Sequence, residues 1–127
     1  MSKYFLPALF WIALSTFLLV LPGAEFPKQN WTDYIPLFDK WVHVGMFAIM
    51  VWLLCYGHYK SRLADGKAAA LRFFIYAGIL CSLYGVLMEF VQKELVPNRS
   101  FDVGDIVADF VGCISGYFYS WYRYIKK

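Results

Sequence analysis

Four apolar stretches, each about as long as a bilayer is thick, constrain this chain more than any other feature. A spanning helix needs about 20 mainly apolar residues, and the stretches at about 4–21, 41–59, 71–91 and 103–124 qualify. The links between them are short and polar. Pro22-Gly23 closes the first stretch, Ser61 to Lys67 join the second to the third, and Pro97-Asn98-Arg99-Ser100 precede the fourth. With 61% hydrophobic and 17% charged residues in a total of 127, the chain carries more apolar side chain than so small an interior hides from water. This excludes a polar disordered chain and weighs against a soluble monomer. It predicts a single all-α membrane domain over residues 1–127, a compact bundle of four transmembrane helices.

Several local features fit that class. Trp31, Trp41, Trp52 and Trp121, with Tyr56, Tyr59 and Tyr124, gather toward the stretch ends, as interfacial aromatic belts do. Cys55, Cys81 and Cys113 lie in apolar runs without paired spacing and read as small hydrophobic residues, neither a disulfide frame nor a metal motif. The first stretch has the alternative of a cleaved signal peptide. Only Lys3 precedes it, its apolar run is long and no clean Ala-x-Ala follows, so a retained helix is the expectation.

Lys and Arg placement sets the orientation of such a bundle. Lys3, Lys60, Arg62, Lys67, Arg72, Arg123, Lys126 and Lys127 fall on one side, and Lys28, Lys40, Lys93 and Arg99 on the other. The richer side is expected in the cytoplasm, with both termini. Only Asp65 is an acid there, whereas Glu25, Asp33, Asp39, Glu89, Glu94, Asp102, Asp105 and Asp109 lie at the outer ends. The formal net charge of +3 thus divides into an inner +7 and an outer −4. The positive excess is topological, and no basic face suited to nucleic acid is present.

The outer acids need a further reason, because acids contribute little to orientation. Asp39, Lys40 and His43 can share one face of the second helix, and Gly78, Gly85, Glu89 and Gln92 follow one stripe of the third. On the fourth, Asp102, Asp105, Asp109, Gly112 and Gly116 form a heptad-like stripe with three carboxylates above a Gly-x-x-x-Gly step. A charge at mid-membrane costs on the order of 2.5–3.5 kcal/mol, so polar groups at matched depth on three helices offset one another by converging. The expectation is one polar pocket open to the outer face. His43, Glu89, Asp105 and Asp109 are its candidate acid–base groups, and Lys40, Gln92, Arg99 and Asp102 its candidate substrate-binding groups. Plainer roles stand beside these: Asp102 as an N-cap, Asp105 favoured by the helix dipole, Lys40 as a boundary residue, His43 as a hydrogen-bonded core histidine, and the two glycines for close packing.

Taken in order, Asp39-Lys40-x-x-His43-x-x-x-Phe47, Glu89-x-x-Gln92, Pro97-x-Arg99 and Asp105-x-x-x-Asp109-x-x-Gly112-x-x-x-Gly116 resemble the VanZ-like family of small bacterial membrane proteins, over about residues 36–120. Family members typically carry Asn where this chain has Asp109. The resemblance implies a multi-pass protein of the bacterial cytoplasmic membrane and cell envelope. The name-giving member is associated with resistance to the glycopeptide teicoplanin. No cofactor, substrate or settled activity follows from it.

Three functions remain open at this level. A membrane-embedded enzyme would act on a lipid or an anionic head group, with a carboxylate or His43 as general acid or base, Lys40 and Arg99 holding the anion, and the metal, if any, a hard divalent cation such as Mg²⁺. A non-catalytic envelope protein would use the cluster to bind a lipid head group or envelope precursor, or to order the bundle. An ion- or proton-coupled carrier would need polar residues continuing inward, and they stop near Asp109. Enzyme status and oligomeric state stay open, and membrane lipids are the partners common to all three.

Overall fold

The computed structural model describes residues 3–20, 38–95 and 103–126. The described residues form four main helices and short turns, with no strand among them. A 3-10 turn at Lys3–Phe5 leads into α1 (Leu6–Val20), followed by α2 (Phe38–Ser61), α3 (Lys67–Leu95) and α4 (Val103–Ser120). A π-turn at Trp121–Ile125 extends α4. Three segments, Lys3–Val20, Lys40–Ser61 and Lys67–Leu95, are long and apolar enough to cross a membrane. The fourth expected span is not among them: α4 carries Asp105 and Asp109, with small residues, on the face it turns inward.

The helices run up, down, up and down. Phe5 meets Phe73 and lies against Gly57, whereas the Leu19 carbonyl at the other end of α1 accepts from Gln92. α1 is therefore parallel to α3 and antiparallel to α2. α4 runs alongside α2 in the same direction, Asp105 meeting Lys40 and Tyr124 meeting Tyr59. α2 is the central element, touching all the others.

α2 and α3 are longer than expected, whereas α1 ends at Val20 and the α-helical part of α4 at Ser120, short of the expected 21 and 124. α2 begins three residues before position 41, and α3 begins four before position 71. Gly66, at φ +92°, makes the tight α2–α3 connection, a conformation that side chains with a Cβ rarely adopt. Arg62 N donates to His58 O at 2.8 Å and Asp65 N to Arg62 O at 3.0 Å, closing the end of α2.

The core lies among α2, α3 and α4: Phe47, Met50, Val51, Phe74, Met88 and the three cysteines. Cys55, Cys81 and Cys113 are free and buried, in keeping with their reading as small apolar residues. The closest helix contact is α2 on α4. A Cβ at Gly112 would overlap the carbonyl oxygen of Val44, and one at Gly116 would stand 2.5 Å from that of Ala48. The Gly-x-x-x-Gly step is thus the surface on which the α2 backbone rests, the close approach through which small residues associate helices in lipid.

α1 is held differently. Leu6, Phe10 and Phe17 are exposed, and polar pins attach the helix. Trp11 Nε1 donates to Met46 O at 2.9 Å, Thr16 hydrogen-bonds the Tyr84 hydroxyl, and Gln92 Nε2 donates to Leu19 O at 2.8 Å. The last pin is the most constrained, since a carbonyl in the final helical turn has no intrahelical partner.

Gly112→Leu or Gly116→Leu is expected to cost about 1–3 kcal/mol by overpacking, read as lower thermal stability in mild detergent. Gly45 has no atom within 4 Å of an added Cβ, so Gly45→Ala should be neutral or gain up to about 1 kcal/mol from helix propensity. Equal losses at all three positions would contradict the packing described.

Candidate functional site

At the end of the bundle away from Lys3, Lys60 and Arg123, polar side chains from α2, α3 and α4 converge. Lys40 and His43 are one turn apart on α2, and Asp105 and Asp109 one turn apart on α4. Because the two helices run side by side in the same direction, the two pairs fall level. Lys40 Nζ donates to Asp105 Oδ1 at 2.6 Å. His43 Nδ1 lies 2.8 Å from Asp109 Oδ1, and its Nε2 lies 3.9 Å from Asp105 Oδ2. The order Lys40–Asp105–His43–Asp109 is a continuous line of ionisable groups across the α2–α4 seam.

Apart from Lys40, whose side chain is one-fifth exposed, the line is out of water. His43 is 7% exposed, Asp105 4%, and Asp109 and Glu89 2% each. Glu89, one turn beyond Gly85 on α3, is near enough to act electrostatically on His43. Gly85 itself makes room for Asp109, since a Cβ there would stand 2.8 Å from Asp109 Oδ2 and 3.0 Å from its Cβ. Buried charges persist when they are paired and hydrogen-bonded, and this line achieves that with neighbouring protein groups.

Four of the eight candidates thus fall in one line, with Lys40 hydrogen-bonded to Asp105 and His43 to Asp109 and 3.9 Å between His43 Nε2 and Asp105 Oδ2, and Glu89 is beside it. Gln92 is at the same end and buried, but its amide holds the Leu19 carbonyl and ties α3 to α1. Arg99 and Asp102 lie outside the described residues, as does the side chain of Asp39. Gly78, expected on the inward stripe of α3, is instead open on its Cβ side. The α3 core face runs through Phe74, Ala77, Cys81, Gly85, Met88 and Gln92, and Gly78 falls at its edge, because a seven-residue spacing drifts by about 20° on a straight helix. The residues of α1 that brace this end, Thr16 and Leu19, were not expected from the sequence. An apolar helix with one Thr carries no polar periodicity to reveal them.

The expectation of an open polar pocket changes accordingly: the converging groups bond to one another. A cavity of about 490 Å³ does form among the described residues, but it is apolar and lies farther along α3 and α4. Among the described residues no group of three His, Cys, Asp or Glu side chains is arranged to hold a metal ion. What the line offers chemically is an imidazole held between two carboxylates. Asp109 fixes the ring at Nδ1, and a proton taken or given at Nε2 faces Asp105, so the transfer needs no ring rotation.

Asp109→Ala leaves the His43 nitrogen buried without its acceptor and is expected to lower stability by about 1–3 kcal/mol, measured by reversible unfolding in bicelles. Asp109→Asn keeps an oxygen acceptor and should cost less. Gly85→Ala should resemble Asp109→Ala although the aspartate remains, because the added methyl displaces it. An Asp109→Ala loss under about 0.5 kcal/mol, the level of an ordinary surface substitution, would contradict the paired geometry. No protein-family model, curated protein or solved structure matches the chain.

Proposed function

We propose that the chain is a VanZ-like integral protein of the bacterial cytoplasmic membrane, crossing it four times with both termini in the cytoplasm. Its polar cluster would then lie near the outer leaflet. Supporting this topology, Lys60, Arg62, Lys67, Arg72, Arg123 and Lys126 come from helix ends at one pole of the bundle, and the buried acids Glu89, Asp105 and Asp109 from the other. α2, at 24 residues, is about 36 Å long at 1.5 Å per residue, enough for a hydrocarbon layer of about 30 Å.

The function supported best is that of an envelope protein that alters sensitivity to glycopeptides of the teicoplanin type through this outer cluster. One observation carries the site: the groups named by the resemblance on α2 and α4 meet in a single line, Lys40–Asp105–His43–Asp109. Lys40 is already neutralised by Asp105 at 2.6 Å, which favours a cluster that orders the bundle and meets a polar ligand over one that clamps an anionic head group. The imidazole between two carboxylates supports a second reading, a membrane-embedded enzyme acting on a lipid. A through-membrane carrier is disfavoured, since below Asp109 the core is Phe47, Met50, Val51, Cys81 and Cys113.

Expression of the wild-type chain in a teicoplanin-sensitive bacterium is expected to raise the inhibitory concentration. Glu89→Ala and Asp105→Ala, at equal membrane levels, should return it to the vector control. No change with the wild type, or full retention by both variants, would overturn the reading. A comparison of envelope lipids in the same strains separates the two modes: an altered lipid species that depends on His43 would identify an enzyme, and unchanged lipids a binding protein.

A further inference from the structure

The end of the bundle opposite the polar cluster carries charge that the cluster does not use. Asp65, the one acid among the described residues there, is taken by Arg62 at 3.0 Å. Lys60 and Lys126 are exposed and have no acid partner among the described residues. Orientation alone accounts for the sign of this pole, but not for how the two lysines are held. Lys60 Nζ lies 5.9 Å from the ring centre of Tyr56, and Lys126 Nζ lies 5.0 Å from that of Tyr122, within cation–π range. Each tyrosine precedes its lysine by four residues, which sets it about 6 Å nearer the middle of the bundle. A membrane interface favours this order, with the ring inward and the ammonium group toward water.

The two Tyr–Lys steps stand side by side. Lys40 meets Asp105 and Tyr59 meets Tyr124 at the same offset of 65 positions, which sets Tyr56 level with Trp121–Tyr122 and Lys60 level with Ile125–Lys126. They also share one side of the α2–α4 pair. Trp52 meets Tyr119 edge-on at 6.3 Å, and helical spacing leads from Trp52 to Tyr56 and Lys60, and from Tyr119 to Tyr122 and Lys126. The second step is built on the π-turn, a form often found at functional positions, which Lys126 N closes onto Trp121 O at 2.9 Å. Below the ammonium groups the surface is apolar and aromatic, with Phe118, Tyr119 and Tyr122 each more than half exposed. A molecule that answers both levels has an anionic head above an apolar flank. An acidic protein meets the charges alone, and a zwitterionic phospholipid brings an ammonium group that the lysines repel. A phospholipid of net negative charge meets both levels.

From these features we propose that the inner end of the α2–α4 pair binds the head group of an anionic phospholipid, its phosphate held by Lys60 and Lys126. The proposal rests on this pole facing the cytoplasmic leaflet, as in the topology above, and not on what the polar cluster does. The test uses the full chain in phosphatidylcholine bilayers with a trace of phosphatidylglycerol or phosphatidylcholine spin-labelled on an acyl chain. Electron spin resonance reads the fraction of each label slowed by the protein. A preference for phosphatidylglycerol of about fivefold is expected at low salt, the scale of one lysine near an anionic surface, falling as salt rises. Lys60→Gln with Lys126→Gln should bring the ratio close to one. Lys67→Gln with Arg72→Gln removes as much charge from the start of α3 and should leave most of the preference. All four side chains are exposed, so neither pair of changes threatens the fold. Equal losses in the two paired variants would show a diffuse field without a site and overturn the proposal. So would equal slowing of both lipids by the wild type, which would leave these lysines to an acidic protein. If neither label is slowed, the membrane reading falls and the proposal with it, whereas equal slowing counts against the lipid site alone.

Discussion

The approach of α2 to α4 is the contact on which the rest of the structure depends. Gly112 and Gly116 bring α4 against the carbonyls of Val44 and Ala48, and only at that separation can side chains one or two turns farther along bridge the seam. The line Lys40–Asp105–His43–Asp109 is the consequence. The packing and the electrostatics are therefore one device. Small residues at one level set the distance, and ionisable residues above them use it. Neither part is stable alone, since buried charges without partners are strongly unfavourable and the glycines weaken the helix that carries them.

α3 completes the device by leaving room. Gly85 admits the Asp109 carboxyl, and Glu89 adds a third acid near His43. Gln92 turns the other way and fastens α1. Three of the helices are apolar enough to cross a membrane, and between helices in lipid hydrogen bonds to carbonyls and small-residue contacts take the place of hydrophobic burial in selecting partners. The three pins on α1, from Trp11, Thr16 and to Leu19, show the same rule at the periphery.

Much of this was legible in the sequence, for a definable reason. Asp105, Asp109, Gly112 and Gly116 share a period, and a period on one helix specifies a face; Lys40 and His43 specify the matching face on α2. The depth of each group follows from the rise per residue, so convergence could be inferred before any contact was seen. Pairing could not. Spacing places Gln92 beside the acids but does not show that its amide will meet the last turn of α1. Nor does it show that Lys40 and Asp105 will neutralise each other instead of lining an open pocket. Gly78 marks another boundary of the method. Its spacing puts it on the Gly85 stripe, and a small rotation of the helix puts it in the lining of the apolar cavity.

The central claim is that His43 and Asp109 bond directly across a seam closed by glycines. A double-mutant cycle with His43→Ala, Asp109→Ala and the double variant, read by reversible unfolding in bicelles, tests it most directly. The geometry predicts a favourable coupling of about 0.6–1.7 kcal/mol, the range of polar contacts between membrane helices. Effects that add to within about 0.3–0.5 kcal/mol, as for independent sites, would contradict it.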